Sequence, residues 1–217
     1  MPQSSATKDA WQQQLEVAAL HLARYDPVLM PVIKQYGLCR IAPHSNYYQA
    51  LVDAIISQQL SVKAAASIEQ RFQALFSGHF PSPAEILTKD TATLRAAGLS
   101  GAKTTYIHDL AQHLQNGTLL ADQLPALSNE KVVHELTAVK GIGEWTAHMF
   151  LMFSLGRLDV LPVGDLGLKN GIRKLYALPE LPSAAEIQAI ATQHHWRPYE
   201  SIASWYIWQS LNNTPAI

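Results

Sequence analysis

Two short stretches hold the residues best able to do chemistry. The first is Lys140-Gly141-Ile142-Gly143-Glu144-Trp145-Thr146-Ala147. Two glycines one residue apart let a backbone turn tightly and approach a partner with no Cβ in the way. A helix starting directly after them offers free N–H groups and the positive end of its dipole, a ready site for an anion. A nucleic-acid phosphate is the obvious anion, held without regard to base sequence. A turn that only packs two helices together would use the same residues, so both readings stand. The second stretch is Pro162-Val163-Gly164-Asp165-Leu166-Gly167-Leu168-Lys169. Asp165 stands where a helix begins, a common capping position. An ionised carboxylate also stabilises developing positive charge and orients or deprotonates a water. Asp165 follows Gly143 by 22 residues, enough for the chain to fold back and set the acid across a cleft from the hairpin.

Other chemistries find less support. Among nine histidines none forms an H-E-x-x-H pair; His108 and His113 are five apart, and His194 and His195 are adjacent. A histidine-bound metal is therefore not expected. The single cysteine, Cys39, excludes an internal disulfide and any cysteine cage for zinc or iron–sulfur. It fits a reducing, intracellular setting. The polar start MPQSSATKDAWQQQ does not read as a signal peptide, and no apolar run approaches the roughly 20 residues that span a bilayer. Net charge is −1, mildly against nucleic acid but compatible with a local positive patch or aligned amides. With 48% apolar and 15% charged residues in 217, the chain is long enough for one large domain or two small lobes and too apolar for disorder.

The elements that must position these residues read as helices. Apolar spacing predicts helices over 9–24, 47–59 and 62–76, with Ser61 capping the third. Short helices follow over 84–97, then a Gly98–Gly101 turn and a helix over 102–115. Further helices are expected over 129–139, 144–155, 165–177, 184–194 and 200–212. Asp26-Pro27 breaks the first helix, and Leu158–Val163 is the best strand candidate. The fold class is all-α: two helical lobes with a cleft between them. Residues 1–46 form the N-terminal part of one lobe. Residues 47–155 form the other, with the hairpin at 136–150, and 156–217 return to the first with Asp165.

Four blocks in order give this chain a family likeness. The hairpin and Asp165 are one. Ile55-Ile56-Ser57-Gln58-Gln59-Leu60-Ser61 with Ala64-Ala65-Ala66 is the second, and Gly98-Leu99-Ser100 with Lys103 and Tyr106-Ile107 is the third. Trp196-Arg197-Pro198-Tyr199-Glu200-Ser201 with Ala203 and Trp208 is the fourth. Together, over about 15–212, they resemble the helix-hairpin-helix DNA glycosylase superfamily, nearest its alkylation-repair branch, the 3-methyladenine glycosylase II type.

That resemblance implies a DNA repair enzyme that flips an alkylated purine out of the duplex and hydrolyses its N-glycosidic bond, initiating base excision repair. Asp165 is implied as the catalytic carboxylate. Gln59 is implied as the residue filling the gap, with Gln58 or Leu60 beside it. Trp145, Trp208, Tyr48 and Gln58 are implied as the base pocket, because aromatic faces attract a cationic base. Lys140, Gly141, Gly143, Thr146 and Lys169 are implied as DNA contacts, with Lys103 a weaker candidate. Strand-nicking relatives carry a lysine two residues after the second hairpin glycine; here that residue is Trp145, which implies no lyase step. Glu200 stands where the family usually has Arg, and Met149 replaces an aromatic pocket neighbour. No cofactor is implied, beyond a monovalent cation at the hairpin carbonyls. The partner is double-stranded DNA bearing alkylated bases, bound by a monomer away from membranes, in a bacterial cytoplasm and nucleoid or a eukaryotic nucleus. Two other readings stay open: a glycosylase for hypoxanthine or uracil, and a non-catalytic DNA-binding module.

Overall fold

A computed structural model describes residues 5–44 and 46–211. Residues 1–4, Ser45 and 212–217, which include the ends of the expected lobes and of the last helix, lie outside the described residues. Those described are helical with no strand. They divide into two compact units: one takes the chain up to Pro43 and from Gly156, the other runs from His44 to Leu155.

The central unit is built on α3 (Tyr47–Ser57), whose Ala50, Leu51, Val52, Ala54, Ile55 and Ile56 are all buried. Asn46 caps its start by accepting from the Gln49 amide. Four residues, 58–61, lead to α4 (Val62–Ala74), capped by Ser61 as expected. The segment expected at 84–97 is two helices, α5 (Pro83–Leu87) and α6 (Thr91–Ala96), each opened by its own cap, Ser82 and Asp90. Both pack on α7 (Gly101–Gln115), which also lies against α3. A 3₁₀ turn over Ala121–Ala126 precedes α8 (Asn129–Thr137), the hairpin, and α9 (Glu144–Met149). The helix expected over 144–155 changes at Phe150 into a π-helical turn, Phe150–Ser154. Such an insertion is not visible in apolar spacing.

The second unit holds α1 (Ser5–Tyr25), α2 (Leu29–Tyr36), α10 (Leu166–Leu175), α11 (Ala184–Gln193) and α12 (Glu200–Ser210). Every residue of α12 from Glu200 to Trp208 is buried, so it runs through the core without a solvent face. It packs on α1, α2 and α10. Gly171 of α10 permits that contact, since a Cβ there would lie 2.3 Å from Ile207 Cγ2.

One expectation fails here, and the one weak strand signal has no strand behind it. Helix α2 was not anticipated after Asp26-Pro27. The break is real, but Asp26 also starts the next helix: its Oδ1 accepts from the amides of Val28 (2.9 Å) and Leu29 (3.0 Å). Pro31 falls in the first turn, where its missing N–H costs nothing. Leu158–Val163 is no strand. It is an irregular segment fastened to the start of α12: Leu158 O accepts from the Ser201 amide at 2.9 Å, and the Val160 amide donates to Ser201 Oγ at 3.1 Å. That anchorage fixes the chain just ahead of Asp165.

Candidate active site

The hairpin glycines have different surroundings. Gly141 has φ +83°, and a Cβ on it would sit 2.1 Å from Cδ2 of Tyr106. This glycine is required by the ring of α7 packed against it. Gly143 is exposed, caps α9 with φ −90°, and has nothing within 4 Å of its Cβ position. The open backbone of the hairpin is therefore at Gly143. The turn is braced from α7: Asp109 Oδ2 accepts from the Lys140 amide at 2.8 Å, and its Oδ1 lies 3.1 Å from Lys140 Nζ.

Across from the hairpin lies the turn after α3. Gln59 is exposed and left-handed, φ +57°. Gln58 Nε2 donates to the Gly141 carbonyl at 2.8 Å, tying this turn to the hairpin. Between them is a cavity of about 450 Å³. Gln58, Gln59, Leu60, Trp145, Thr146 and Met149 line it, with Tyr106 and Gly141. Trp145 is 42% exposed, while Thr146 and Met149 are buried. The cavity thus offers an indole and apolar walls, with the Gln58–Gln59 amides at its edge.

In the other unit Asp165 caps α10. Its Oδ1 accepts from the Leu168 amide at 2.5 Å and from Trp208 Nε1 at 2.9 Å. The carboxylate is 8% exposed, held by one backbone and one indole donor, next to Leu166, which is 62% exposed. Donors on one oxygen fix the plane of the carboxylate.

Residues 52–196 match the model of the HhH-GPD superfamily base excision DNA repair proteins. The chain belongs to that superfamily. DNA-3-methyladenine glycosylase 1 of Schizosaccharomyces pombe is 35% identical over 90% of this chain and 87% of its own length. A solved structure of 3-methyladenine DNA glycosylase from the same yeast, in complex with abasic DNA, has a TM-score of 0.78. It is 33% identical and covers 92% of this chain and 98% of that one. A DNA-3-methyladenine glycosidase from Bacillus halodurans also has a TM-score of 0.78, at 37% identity over 89% of this chain and 88% of that one.

The HhH-GPD match spans the glutamine turn, the hairpin and Asp165, while Trp208 lies beyond it. Several expected site residues sit elsewhere than the resemblance implied. Trp208 is wholly buried, so it is no open pocket wall; its indole N–H serves Asp165 instead. Tyr48 does not line the cavity. Its hydroxyl donates to the Pro81 carbonyl at 2.9 Å, its ring stands edge-on to Phe80, and burial raises its pKa. Thr146 stands in the first turn of α9, as expected, but is buried in the cavity lining. Lys103 does not reach outward either: its Nζ donates to the carbonyls of Ile56 (2.8 Å) and Gln58 (2.7 Å), and desolvation lowers its pKa. Lys140 is exposed but shared with Asp109. Lys169, four residues into α10, is half-buried. Glu200 is buried at the start of α12, where desolvation raises its pKa and its Oε2 has no hydrogen-bond partner.

Sequence reading missed Asp109, and it gave Tyr106 no role beyond a motif letter. Both lie on α7, three residues apart, a spacing that puts them on one helical face. It also missed Asp26, wholly buried, which accepts from Trp196 Nε1 at 2.7 Å and Tyr176 Oη at 2.5 Å. Among the described residues no three His, Cys, Asp or Glu side chains are grouped to hold a metal.

Proposed function

We propose that this chain is a monofunctional DNA glycosylase that releases alkylated purines of the 3-methyladenine and 7-methylguanine type in base excision repair. It acts as a monomer inside the cell. The observation that carries the reading is the carboxylate of Asp165, oriented by the Leu168 amide and the Trp208 indole, in a chain whose relatives bear the names above.

The hairpin amides around Gly143 bind backbone phosphate. The damaged nucleotide rotates out of the stack, which costs a few kcal/mol and least where damage has weakened pairing. Gln59 fills the space left behind. The indole face of Trp145 attracts the positively charged alkylated ring by about 0.5–2 kcal/mol. As the N-glycosidic bond breaks, its electron pair leaves with the base, which becomes neutral. Positive charge then spreads over C1′ and the ring oxygen, as in glycoside hydrolysis. Asp165 stabilises that charge and takes a proton from the water whose oxygen bonds to C1′. A cationic base is already a good leaving group, so no general acid is needed. Trp145 stands where a Schiff-base lysine would be, which favours hydrolysis without strand nicking.

A monovalent cation at the hairpin carbonyls belongs to the same reading. Val139 O and Gly141 O each accept one hydrogen bond and keep a second lone pair. Such an ion would add positive charge beside the phosphate-binding amides.

The test is release of 3-methyladenine and 7-methylguanine from alkylated duplex DNA by wild type and Asp165→Asn. Release is expected to fall at least about a thousandfold in the variant, with binding to abasic DNA kept. Equal rates would remove Asp165 from the chemistry. Release of uracil or hypoxanthine alone would move the enzyme to another lesion, and binding without release would leave a DNA-binding module. Nicking at an abasic site would refute the monofunctional assignment.

A further inference from the structure

The turn between α3 and α4 is held from two sides, and the hold from α7 has no role in the reaction proposed above. Helix α3 ends at Ser57, and its last carbonyls lack helical partners. Ser57 O accepts from the Leu60 amide at 3.0 Å, closing the turn. Ile56 O and Gln58 O both accept from the Lys103 ammonium, at 2.8 and 2.7 Å. An ammonium has three donors, and the carbonyl end of a helix attracts positive charge, so a lysine suits this place. Gln58 O belongs to the peptide that joins Gln58 to Gln59. Fixing that oxygen fixes the plane from which Gln59 departs. Gln59 is left-handed, an arrangement that a non-glycine residue keeps only when its surroundings enforce it. From the other side, Gln58 Nε2 on the Gly141 carbonyl ties the same residue to the hairpin.

We propose that Lys103 is a positioning residue for base extrusion: it braces the turn of residues 57–60 so that Gln59 stands preformed to enter the space the flipped nucleotide leaves. This deepens the proposed function and rests on its assignment of Gln59 to the gap. Lys103 touches neither the base nor the sugar; it acts through the Gln58–Gln59 peptide. A wedge that needs no rearrangement loses no ordering entropy when it enters the duplex.

The experiment compares Lys103→Met, which keeps the stem and loses the charge, with Lys103→Arg, which keeps a charged donor. Base release is measured on two duplexes, one with the lesion paired and one with an abasic site opposite it, where extrusion is cheap. Entry of the wedge is followed by 2-aminopurine fluorescence beside the lesion. Lys103→Met is expected to lower kcat about tenfold on the paired lesion and by less than about twofold on the unpaired one, with KM unchanged. Lys103→Arg recovers most of the loss. In a Gln59→Ala background the methionine substitution has no further effect, because the residue it positions is gone. Equal loss on both duplexes, full additivity with Gln59→Ala, or a loss confined to KM would each overturn the brace. Should the methionine variant unfold, Lys103→Gln, which keeps a donor without the charge, carries the same comparison. A wild type that releases no base from either duplex refutes the glycosylase reading. The fluorescence change still judges the brace, since equal signals from wild type and Lys103→Met would refute it alone.

Discussion

A Cβ on Gly141 would collide with the Tyr106 ring at 2.1 Å, and φ +83° strains any L side chain. Overpacking and left-handed strain each cost about 1–3 kcal/mol. Gly141→Ala is therefore expected to destabilise the protein by about 2–6 kcal/mol, read as a lower midpoint in urea. Gly143→Ala meets open space at an ordinary φ, so its stability should change by less than about 1 kcal/mol. Its new methyl stands beside the amides proposed to bind phosphate, and affinity for abasic DNA should drop. Equal stability loss in both variants would contradict the division of labour between the two glycines. The sequence displayed the glycine pair but not this division, because the deciding ring belongs to Tyr106, 35 residues earlier. Asp165 shows the same limit. Its capping place was readable from the local pattern, while its indole donor comes from 43 residues away.

At the scale of elements, α3 and α4 carry the turn with Gln59 between them, and the two helices place Asp53 and Glu69 close enough to repel. Desolvation, followed by the Glu69 charge, raises the Asp53 pKa to about 7, against a smaller opposing hydrogen bond from Gln49. Desolvation also raises Glu69. A raised folded-state pKa means the native protein holds this proton more tightly than the unfolded chain. Stability from that proton is complete below the unfolded value near 3.9 and is lost as pH climbs toward 7. Asp53→Asn removes the charge. At pH 8 the variant should be more stable than wild type by about 1–2 kcal/mol, after discounting for partial exposure, and near pH 4 the advantage should vanish. Thermal melts across that range check it, and a pH-independent difference would refute it. The helices themselves were largely legible, because apolar spacing and caps such as Ser61 are local signals. Helix α2 was not, since its start depends on Asp26 serving as both stop and cap. The side chains that hold Asp26 in place, Tyr176 and Trp196, arrive from 150 and 170 residues away.

For the molecule as a whole, a net charge of −1 limits how DNA can be held. Each phosphate neutralised by a lysine or arginine releases condensed counterions, giving a salt slope of about −0.9 per contact on duplex DNA. Backbone amides add hydrogen bonds and a helix dipole but no full charge. The proposed contacts contain two lysines, Lys140 and Lys169, and Lys140 already shares its charge with Asp109 at 3.1 Å. The slope of log affinity against log salt should therefore be about −1 to −2, measured by fluorescence anisotropy on a duplex with an abasic-site analogue. Lys169→Met should make it shallower by about 0.9, and Lys140→Met by less, because its partner carboxylate has already displaced part of the counterion effect. A slope of about −6 or steeper would show that a broad set of cations grips the backbone. It would then be the basic end of α10, Arg173 and Lys174, that needed substitution next. A shallow slope has a functional consequence of its own. With weak long-range attraction to undamaged DNA, discrimination must come from the extrusion step, where the proposed function sets the glutamine turn and the indole of Trp145 on the damaged nucleotide.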